Sequence, residues 1–351
     1  MKPVILFDPH WRTVSELFST SVFADFKNRF DVAWGKDASI PADLFKQHWP
    51  STSGLVAASP VVTAAMLENA PSLKVIVEVS GAFPDTIDYA ACAKHNVEVL
   101  SCSPGFRTSV AEIGLAMALS SARGLIVEHE LFRHGNENWL EDKPETDFTL
   151  HGAQVGFIGF GQIAQELSRL LAPFRTKIKA FDPWLSEQHA KGLGVELCGF
   201  DEVLHWSRCL FVTASPTTEN EGLLSASALS KLGDNALLVV LSRAHLVDFD
   251  ALTAEAVSGR LRIATDVFPE EPMPAGHPIR QAANALLSPH RAAAVEGGRQ
   301  LIGEMIVDDL SAIFSGKTER RLAIADVNTI AAVTGVTDAD RVADMAASRN
   351  T

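Results

Sequence analysis

The sequence predicts an α/β protein with two doubly wound parallel-sheet domains. The chain has 351 residues, which is more than one ordinary hydrophobic core accommodates. Short β-type runs alternate with helical stretches along both halves of the chain, as expected of parallel strands joined by crossover helices. Apolar residues make up 47% of the chain and charged residues 21%, so two packed cores can be filled.

The first hundred residues predict a small open sheet. Helices are expected between its strands at residues 61–69 and 86–94, with Pro71 and Gly81 at the joins. The five predicted strands are Val4 to Phe7, Asp31 to Trp34, Leu55 to Ala58, Lys74 to Val79 and Val97 to Leu100.

A second series of strands follows a long apolar helix predicted at residues 110–122 and a charged, turn-rich segment at 133–148, which we interpret as an exposed arm. Six strands suit a dinucleotide-binding domain. They are predicted at Gln154 to Ile158, Lys177 to Phe181, Leu210 to Ala214, Ala236 to Leu241, Arg262 to Val267 and Ala285 to Leu287. A last amphipathic helix is predicted at 296–314.

A dinucleotide fingerprint comes directly after the strand Gln154 to Ile158. Gly159 permits a tight turn, Gly161 lets the backbone approach a pyrophosphate, and Ala164 keeps helix and strand close. The backbone amides of Gln162 and Ile163 open the helix and would face the phosphates. A tight strand-to-helix turn without a ligand would fit the same pattern.

Asp182 favours a dinucleotide site over a turn without a ligand, because it stands at the end of the next predicted strand. A carboxylate there accepts hydrogen bonds from the adenosine ribose and repels a 2′-phosphate. The following residues, Pro183 and Trp184, supply no cation to neutralise that phosphate. We therefore expect NAD, rather than NADP, as the cofactor.

Polar or turn-forming residues also follow the later strands. Because the carboxyl ends of parallel strands meet at one edge, these residues are expected to line one cleft. They are Ser215 with Pro216, Arg243, Asp266 and His290. Reduction of a 2-oxo acid needs a cation for the carboxylate and a proton donor for the alkoxide, and Arg243 and His290 are the matching residue types. Glu271 is the candidate carboxylate beside the histidine.

In the segments 159–164, 241–247, 266–272 and 288–290, the sequence resembles the D-isomer-specific 2-hydroxyacid dehydrogenases. The resemblance implies that the protein interconverts a small 2-oxo acid and its D-2-hydroxy acid. It also implies that Arg243 binds the substrate carboxylate and carbonyl, that His290 is the acid/base, and that Glu271 pairs with it. Asp266 would contact the nicotinamide carboxamide. From their place at a strand end, Ser215 and Pro216 are predicted to contact the cofactor.

The same resemblance implies a flavodoxin-like substrate domain at residues 1–104 plus 293–351 and a Rossmann NAD-binding domain at 105–292. The backbone amides of Gly81 and Ala82, opposite the catalytic residues, would hold the substrate carboxylate. A homodimer is implied, formed through the helix at 110–122 and the arm at 133–148.

Two positions depart from the family pattern. Phe83 stands where the family usually has a second glycine, so a bulky ring enters the substrate loop. Arg291 follows the catalytic histidine at a usually apolar position, where it would serve a second acidic group of the substrate or point into solvent. Two alternative functions stay open, a phosphite-type dehydrogenase and a non-catalytic NAD(H)-sensing protein.

Composition narrows the possible partners and the location. The formal net charge of −13 speaks against a nucleic-acid partner, which would require clustered lysine and arginine. The four cysteines show neither CxxC pairs nor metal-type spacing, so no metal site is expected and a reducing compartment is favoured. Apolar runs are too short for a signal peptide or a membrane span, and the cytoplasm is the expected location.

Overall fold

The computed structural model describes residues 2–141, 143, 146–326 and 330. The described residues form two compact units, the first made of those in 1–107 and from 293 onward, and the second of those in 108–292. Sequence reasoning placed the two junctions at 104/105 and 292/293. The strands and helices are numbered along the chain.

The first unit contains a six-stranded sheet in the order β13-β5-β4-β3-β1-β2. Neighbouring strands from β1 to β5 pair in parallel, and β13 pairs antiparallel to β5. Apart from β13, the order is that of flavodoxin-like folds, as predicted. The strands are β1 (Val4–Asp8), β2 (Asp31–Trp34), β3 (Gly54–Ala57), β4 (Val75–Glu78), β5 (Glu98–Ser101) and β13 (Ala323–Ile324).

Helices cover both faces of this sheet. They are α1 (Val14–Leu17), α2 (Thr20–Arg29), α3 (Ala42–His48), α4 (Ala64–Glu68), α5 (Tyr89–Lys94) and α13 (Gln300–Phe314). One core cluster joins Phe7 of β1 to Phe26 of α2 and Leu310 of α13. The cluster on the other face includes Ile76 and Leu67. Helix α13 thus completes a core begun by the N-terminal strands.

The second unit contains a seven-stranded sheet in the order β12-β11-β10-β9-β6-β7-β8. All of its strand pairs are parallel, and the order is that of a Rossmann fold with one added strand, which confirms the predicted fold class. The strands are β6 (Gln154–Ile158), β7 (Lys177–Phe181), β8 (Glu196–Leu197), β9 (Cys209–Val212), β10 (Leu237–Val240), β11 (Arg262–Thr265) and β12 (Ala285–Leu287).

The helices of the second unit begin with α6, whose first residue is the junction residue Arg107. They are α6 (Arg107–Ala122), α7 (Leu125–Arg133), α8 (Gln162–Leu171), α9 (Glu187–Gly192), α10 (Phe200–Trp206), α11 (Ala226–Leu229) and α12 (Phe249–Ser258). Short 3₁₀ turns lie at Trp49–Ser51, Ser103–Phe106, Ala172–Phe174, Ala244–Leu246 and Pro278–Gln281.

Several predicted boundaries differ from the structure for local reasons. The helices predicted from residues 61 and 86 begin at Ala64 and Tyr89, because Thr63 and Asp88 act as N-caps that accept from the amides of Met66 and Ala91. The last helix begins at Gln300 rather than residue 296.

The segment at 133–148 exposes large apolar side chains. Trp139 is 76% exposed and Leu140 is 99% exposed.

Within the part of the chain that the structure describes, no single helix is long and apolar enough to cross a membrane. The helices Ser103–Ala122 and Leu125–Arg133, which meet at a bend, are together long and apolar enough by length and composition alone.

Gly303 of α13 lies where a side chain has no room. A Cβ atom there would stand 2.5 Å from the carbonyl oxygen of Leu17 and 2.6 Å from the Phe18 ring. We expect Gly303→Ala to lower the free energy of unfolding by about 1–3 kcal/mol through overpacking. Glu304→Ala, at the exposed neighbouring position, should change it by less than about 0.5 kcal/mol. Thermal unfolding of the full chain measures both, and equal stability of the two variants would contradict the close packing.

Candidate active site

The predicted site residues of the second unit follow the carboxyl ends of its parallel strands. Strands β6, β9, β10, β11 and β12 follow one another in this order across one sheet and run in the same direction. The segments that follow them therefore emerge at one edge of the sheet. Gly159, Ser215, Arg243, Asp266 and His290 all lie in these segments.

Gly159 forms the turn between β6 and α8. Its φ of +80° is in the left-handed region, and a Cβ atom there would stand 2.4 Å from the Cα atom of Ala214. The Thr213 hydroxyl donates to the Gly159 carbonyl oxygen at 2.7 Å. The fingerprint turn is therefore packed directly against the end of β9, and only glycine fits. Sequence reasoning did not single out Thr213, whose partner is distant in the chain.

Gly161 is the N-cap of α8 and has different surroundings. A Cβ atom on it would meet no heavy atom within 4 Å, and no side chain caps this ten-residue helix. The amides of Gln162 and Ile163 in its first turn lie where a helix N-terminus binds an anion. This arrangement fits the pyrophosphate of a dinucleotide, which Gly161, Gln162 and Ile163 would hold.

Asp182 follows β7 and lies beside the fingerprint turn. One carboxylate oxygen accepts from the Phe160 amide at 2.7 Å, and the other accepts from the amides of Trp184 and Leu185 at 2.9 and 3.1 Å. These bonds fix a negative charge next to the glycine turn. A carboxylate in this position accepts from ribose hydroxyls and disfavours a 2′-phosphate, which fits NAD.

Ser215 and Pro216 lie in a loop after β9 that two further side chains hold. Asn220 donates to the Ser215 carbonyl oxygen at 2.9 Å and accepts from the Thr217 amide at 2.8 Å. The Nε2 atom of His245 lies 2.9 Å from the Thr217 carbonyl oxygen. Sequence reasoning missed Asn220 and His245, because polar residues in a turn have many ordinary explanations.

Arg243 follows β10 and precedes the turn Ala244–Leu246. Its guanidinium donates to the Ser242 carbonyl oxygen at 2.8 Å. Strand β11 separates β10 from β12, which leads to His290. Two interstrand spacings amount to roughly 10 Å, which a long arginine side chain largely spans. Arg243 and His290 thus leave the same edge of the sheet from strands two positions apart.

Asp266 follows β11 and is almost completely buried, with 1% exposure. It accepts from the Ser288 hydroxyl and from the amides of Arg291 and Ala292, at 2.8 and 3.0 Å for the amides. The carboxylate therefore holds the backbone turn that carries His290. Its predicted contact with the nicotinamide carboxamide stays a prediction.

Glu271 and His290 are brought together, as predicted. The Nδ1 atom of His290 lies 2.9 Å from one Glu271 carboxylate oxygen, and the other oxygen accepts from the Phe268 amide at 2.9 Å. The glutamate side chain is 15% exposed and the histidine side chain 33%. Pairing at Nδ1 orients the ring so that Nε2 is the nitrogen directed away from the carboxylate.

The predicted substrate loop belongs to the first unit. Gly81 has a φ of +92°, and a Cβ atom there would stand 2.7 Å from the Phe106 ring. The amides of Gly81 and Ala82 donate to a Glu78 carboxylate oxygen at 2.8 and 3.0 Å. Phe83 packs against the core cluster of this unit, so the bulky ring has a structural place. The role of Gly81 and Ala82 in substrate binding stays a prediction.

The two fingerprint glycines give a matched pair of variants. Gly159→Ala should lower the thermal stability, because the new Cβ atom meets the backbone of Ala214. Gly161→Ala should leave stability unchanged, since its Cβ enters open space, yet raise the Kd for NADH at least about tenfold by obstructing the pyrophosphate. Thermal unfolding and NADH fluorescence titration test both. Wild-type NADH affinity in Gly161→Ala would contradict this position for the phosphates.

A family model for the NAD-binding domain of D-isomer-specific 2-hydroxyacid dehydrogenases matches residues 115–292, just over half of the chain. The D-3-phosphoglycerate dehydrogenase of Archaeoglobus fulgidus is 28% identical over 250 residues, covering 71% of this chain and 47% of the relative. The glyoxylate reductase of Thermofilum pendens is 29% identical over 276 residues, covering 76% and 79%. The chain thus spans about half the length of the phosphoglycerate dehydrogenases it matches.

A crystal structure of a phosphoglycerate oxidoreductase from Rhizobium etli is similar over 93% of this chain and 99% of that chain, with 31% identity and a TM-score of 0.82. The match extends over both units. Together with the fingerprint turn, Asp182 and the family model, it assigns the cofactor as NAD. The chain belongs to the D-isomer-specific 2-hydroxyacid dehydrogenase family.

Proposed function

We propose that the protein catalyses the NAD-dependent interconversion of a small 2-oxo acid and its D-2-hydroxy acid. The observation that carries this proposal is the pair of His290 and Glu271, 2.9 Å apart, at the strand-end edge of the NAD-binding domain. An orienting carboxylate beside a histidine is the arrangement that general acid/base catalysis requires. Relatives named glyoxylate reductase and D-3-phosphoglycerate dehydrogenase support the substrate class.

His290 acts as the proton donor and acceptor. When bound, NADH supplies the hydride for reduction. Protonated His290 donates a proton from Nε2 to the substrate oxygen as negative charge develops on it. Glu271 at Nδ1 stabilises the imidazolium and holds the ring in one orientation. In the oxidation direction, neutral His290 takes the hydroxyl proton at the same atom.

Arg243 binds the substrate carboxylate and polarises the carbonyl oxygen. Its planar guanidinium offers several N–H donors in a fixed geometry, which suits the two oxygens of a carboxylate.

Asp266 supports the His290 turn through the amides of Arg291 and Ala292, and we propose that it also contacts the nicotinamide carboxamide. Ser215 and Pro216, on the loop held by Asn220, contact the cofactor.

The exposed apolar side chains of α7 and the following arm support a homodimer. Leu125, Phe132 and Trp139 are 57%, 58% and 76% exposed, and the Phe132 and Trp139 rings lie against each other with centroids 6.2 Å apart. Contiguous exposed apolar surface marks an interaction site. We propose that α6, α7 and the arm form the dimer contact.

The four free cysteines fit a reducing compartment, and we propose that the protein is located in the cytoplasm.

His290→Ala should lower kcat by about 10²- to 10⁴-fold with unchanged Kd for NADH, because it removes proton transfer but no cofactor contact. Arg243→Ala should lower kcat/KM mainly through a higher KM for the acid. NADH oxidation against glyoxylate, hydroxypyruvate, pyruvate and branched or aromatic 2-oxo acids measures both. His151→Ala, an exposed histidine of the same unit, is the matched control and should retain wild-type activity.

The same panel decides the substrate class. A 2-oxo acid with a phosphate should be favoured over glyoxylate if Arg291 serves a second acidic group, and Arg291→Ala should remove that preference. Turnover of phosphite alone would replace the 2-oxo acid with phosphite as the substrate. Tight NADH binding without turnover of any of these acids or phosphite would contradict a catalytic function and favour an NAD(H)-sensing protein.

A further inference from the structure

The segment Ser215–Asn220, called the β9 loop because it follows β9, is shaped by one of its own side chains. Asn220 donates to the Ser215 carbonyl oxygen at 2.9 Å and accepts from the Thr217 amide at 2.8 Å. Thr217 and Asn220 are buried, whereas Ser215 is exposed. These bonds start and end within the loop, so they fix its shape but not its place on the protein.

The turn Ala244–Leu246, which follows β10, is a fixed neighbour of the β9 loop. Its first and last residues are buried in the core cluster of the second unit. The Gly222 amide donates to the His245 carbonyl oxygen at 2.9 Å. The Leu224 amide donates to the Leu246 carbonyl oxygen, also at 2.9 Å. Both bonds attach the chain that comes after the β9 loop to this turn.

The side chain of His245 extends the attachment back into the loop. Its Nε2 atom lies 2.9 Å from the Thr217 carbonyl oxygen. Because a carbonyl oxygen only accepts, Nε2 carries the proton and donates it to this bond. The same oxygen accepts from the Asn220 amide at the longer distance of 3.3 Å. The shorter bond comes from outside the loop, and it therefore fixes the position of Thr217 relative to the turn.

We infer that His245 is a positioning residue for the cofactor, whose hydrogen bond to Thr217 holds the β9 loop in place for NAD. This inference rests on the proposed function for the contacts of Ser215 and Pro216 with the cofactor. Arg243 is the N-cap of the turn that carries His245, so one anchor places the cofactor loop and the proposed substrate-binding arginine. His245 acts through the loop and takes no part in proton or hydride transfer.

Holding the loop before NAD binds raises the affinity for NAD. A mobile loop must be ordered when its ligand binds, and the free energy of ordering weakens binding. The apparent affinity falls with the fraction of molecules in which the loop has the binding conformation. The affinity for the cofactor should therefore depend on an N–H donor at position 245, even when every residue that touches NAD is unchanged.

Fluorescence titration with NADH tests this dependence in two variants. His245→Ala removes the donor and should raise the Kd for NADH roughly 3- to 10-fold, the effect of losing one neutral hydrogen bond. His245→Gln keeps an N–H donor at a similar distance from the backbone, so its Kd should be less than about twofold above wild type. Thermal unfolding identifies a temperature at which all the titrated proteins are folded.

His205→Ala is the matched control. His205 lies on α10 of the same unit, and its Nδ1 atom lies 2.7 Å from the Asp201 carbonyl oxygen. This variant also removes a hydrogen bond between a histidine ring and a backbone carbonyl, but the bond lies within one helix. The end of α10 leads into the start of β9, at the opposite end of the strand from the β9 loop. Its Kd for NADH should equal that of wild type.

A purely structural role for His245 predicts a different pattern. The melting temperature of His245→Ala would then fall while its Kd for NADH stayed at the wild-type value, and this result would overturn the inference. An equal rise of the Kd in the alanine and glutamine variants would also contradict it, because the hydrogen bond would not be the cause. These titrations need no acid substrate. A wild type that binds NADH but turns over no acid contradicts the proposed reaction and still allows this test.

Nitrogen-15 NMR of the histidine rings keeps the test decisive if His245→Ala does not fold. The two ring nitrogens are distinct, so the spectrum shows which of them carries the proton in a neutral ring. The wild-type signal that disappears in His245→Gln should belong to a ring protonated at Nε2, with and without NADH. A neutral ring protonated only at Nδ1 has no proton to donate to Thr217, and that finding would refute the inference.

Discussion

The parallel pairing of β6 with β7 on one side and β9 on the other is the constraint on which the proposed site depends. Because Ile158 pairs with both Phe181 and Val212, the three strands end at the same level. The absent side chain of Gly159 then allows the backbone of Ala214 to approach the turn closely. Any residue with a Cβ would separate β6 from the end of β9 and displace the amides that open α8.

The fold and most strands could be predicted from the sequence, because buried parallel strands are short apolar runs bounded by turn formers. The strands Gln154–Ile158 and Lys177–Phe181 have the predicted bounds. Strands β8 and β13 were missed, since two residues carry no periodicity. Helix starts were misplaced where a threonine or aspartate at the N-cap was counted into the helix.

The candidate site was predicted as far as its residues belong to contiguous motifs. Glu271 and His290 pair as the family resemblance implies. Contacts that join distant segments could not be predicted, because a polar residue in an apolar run does not reveal its partner. Glu78 was included in the strand predicted at 74–79 without a role, yet it accepts from Ser59, nineteen positions earlier, as well as from the following loop. Asp266 was predicted as a cofactor contact, and the structure adds its bonds to the His290 turn.

The divided first unit has a consequence for synthesis on the ribosome. Ile302, Met305 and Leu310 of α13 share a core cluster with Ile5, Phe7 and Val77, so part of one face of the first sheet stays uncovered until the chain has been extended past residue 314. The second unit is complete at residue 292 and has its own sheet and core. During synthesis, the second unit can therefore complete its core before the first unit, although the first unit contains the N-terminal strands. During that interval the N-terminal strands expose apolar surface, which is the condition under which chaperones bind unfinished proteins.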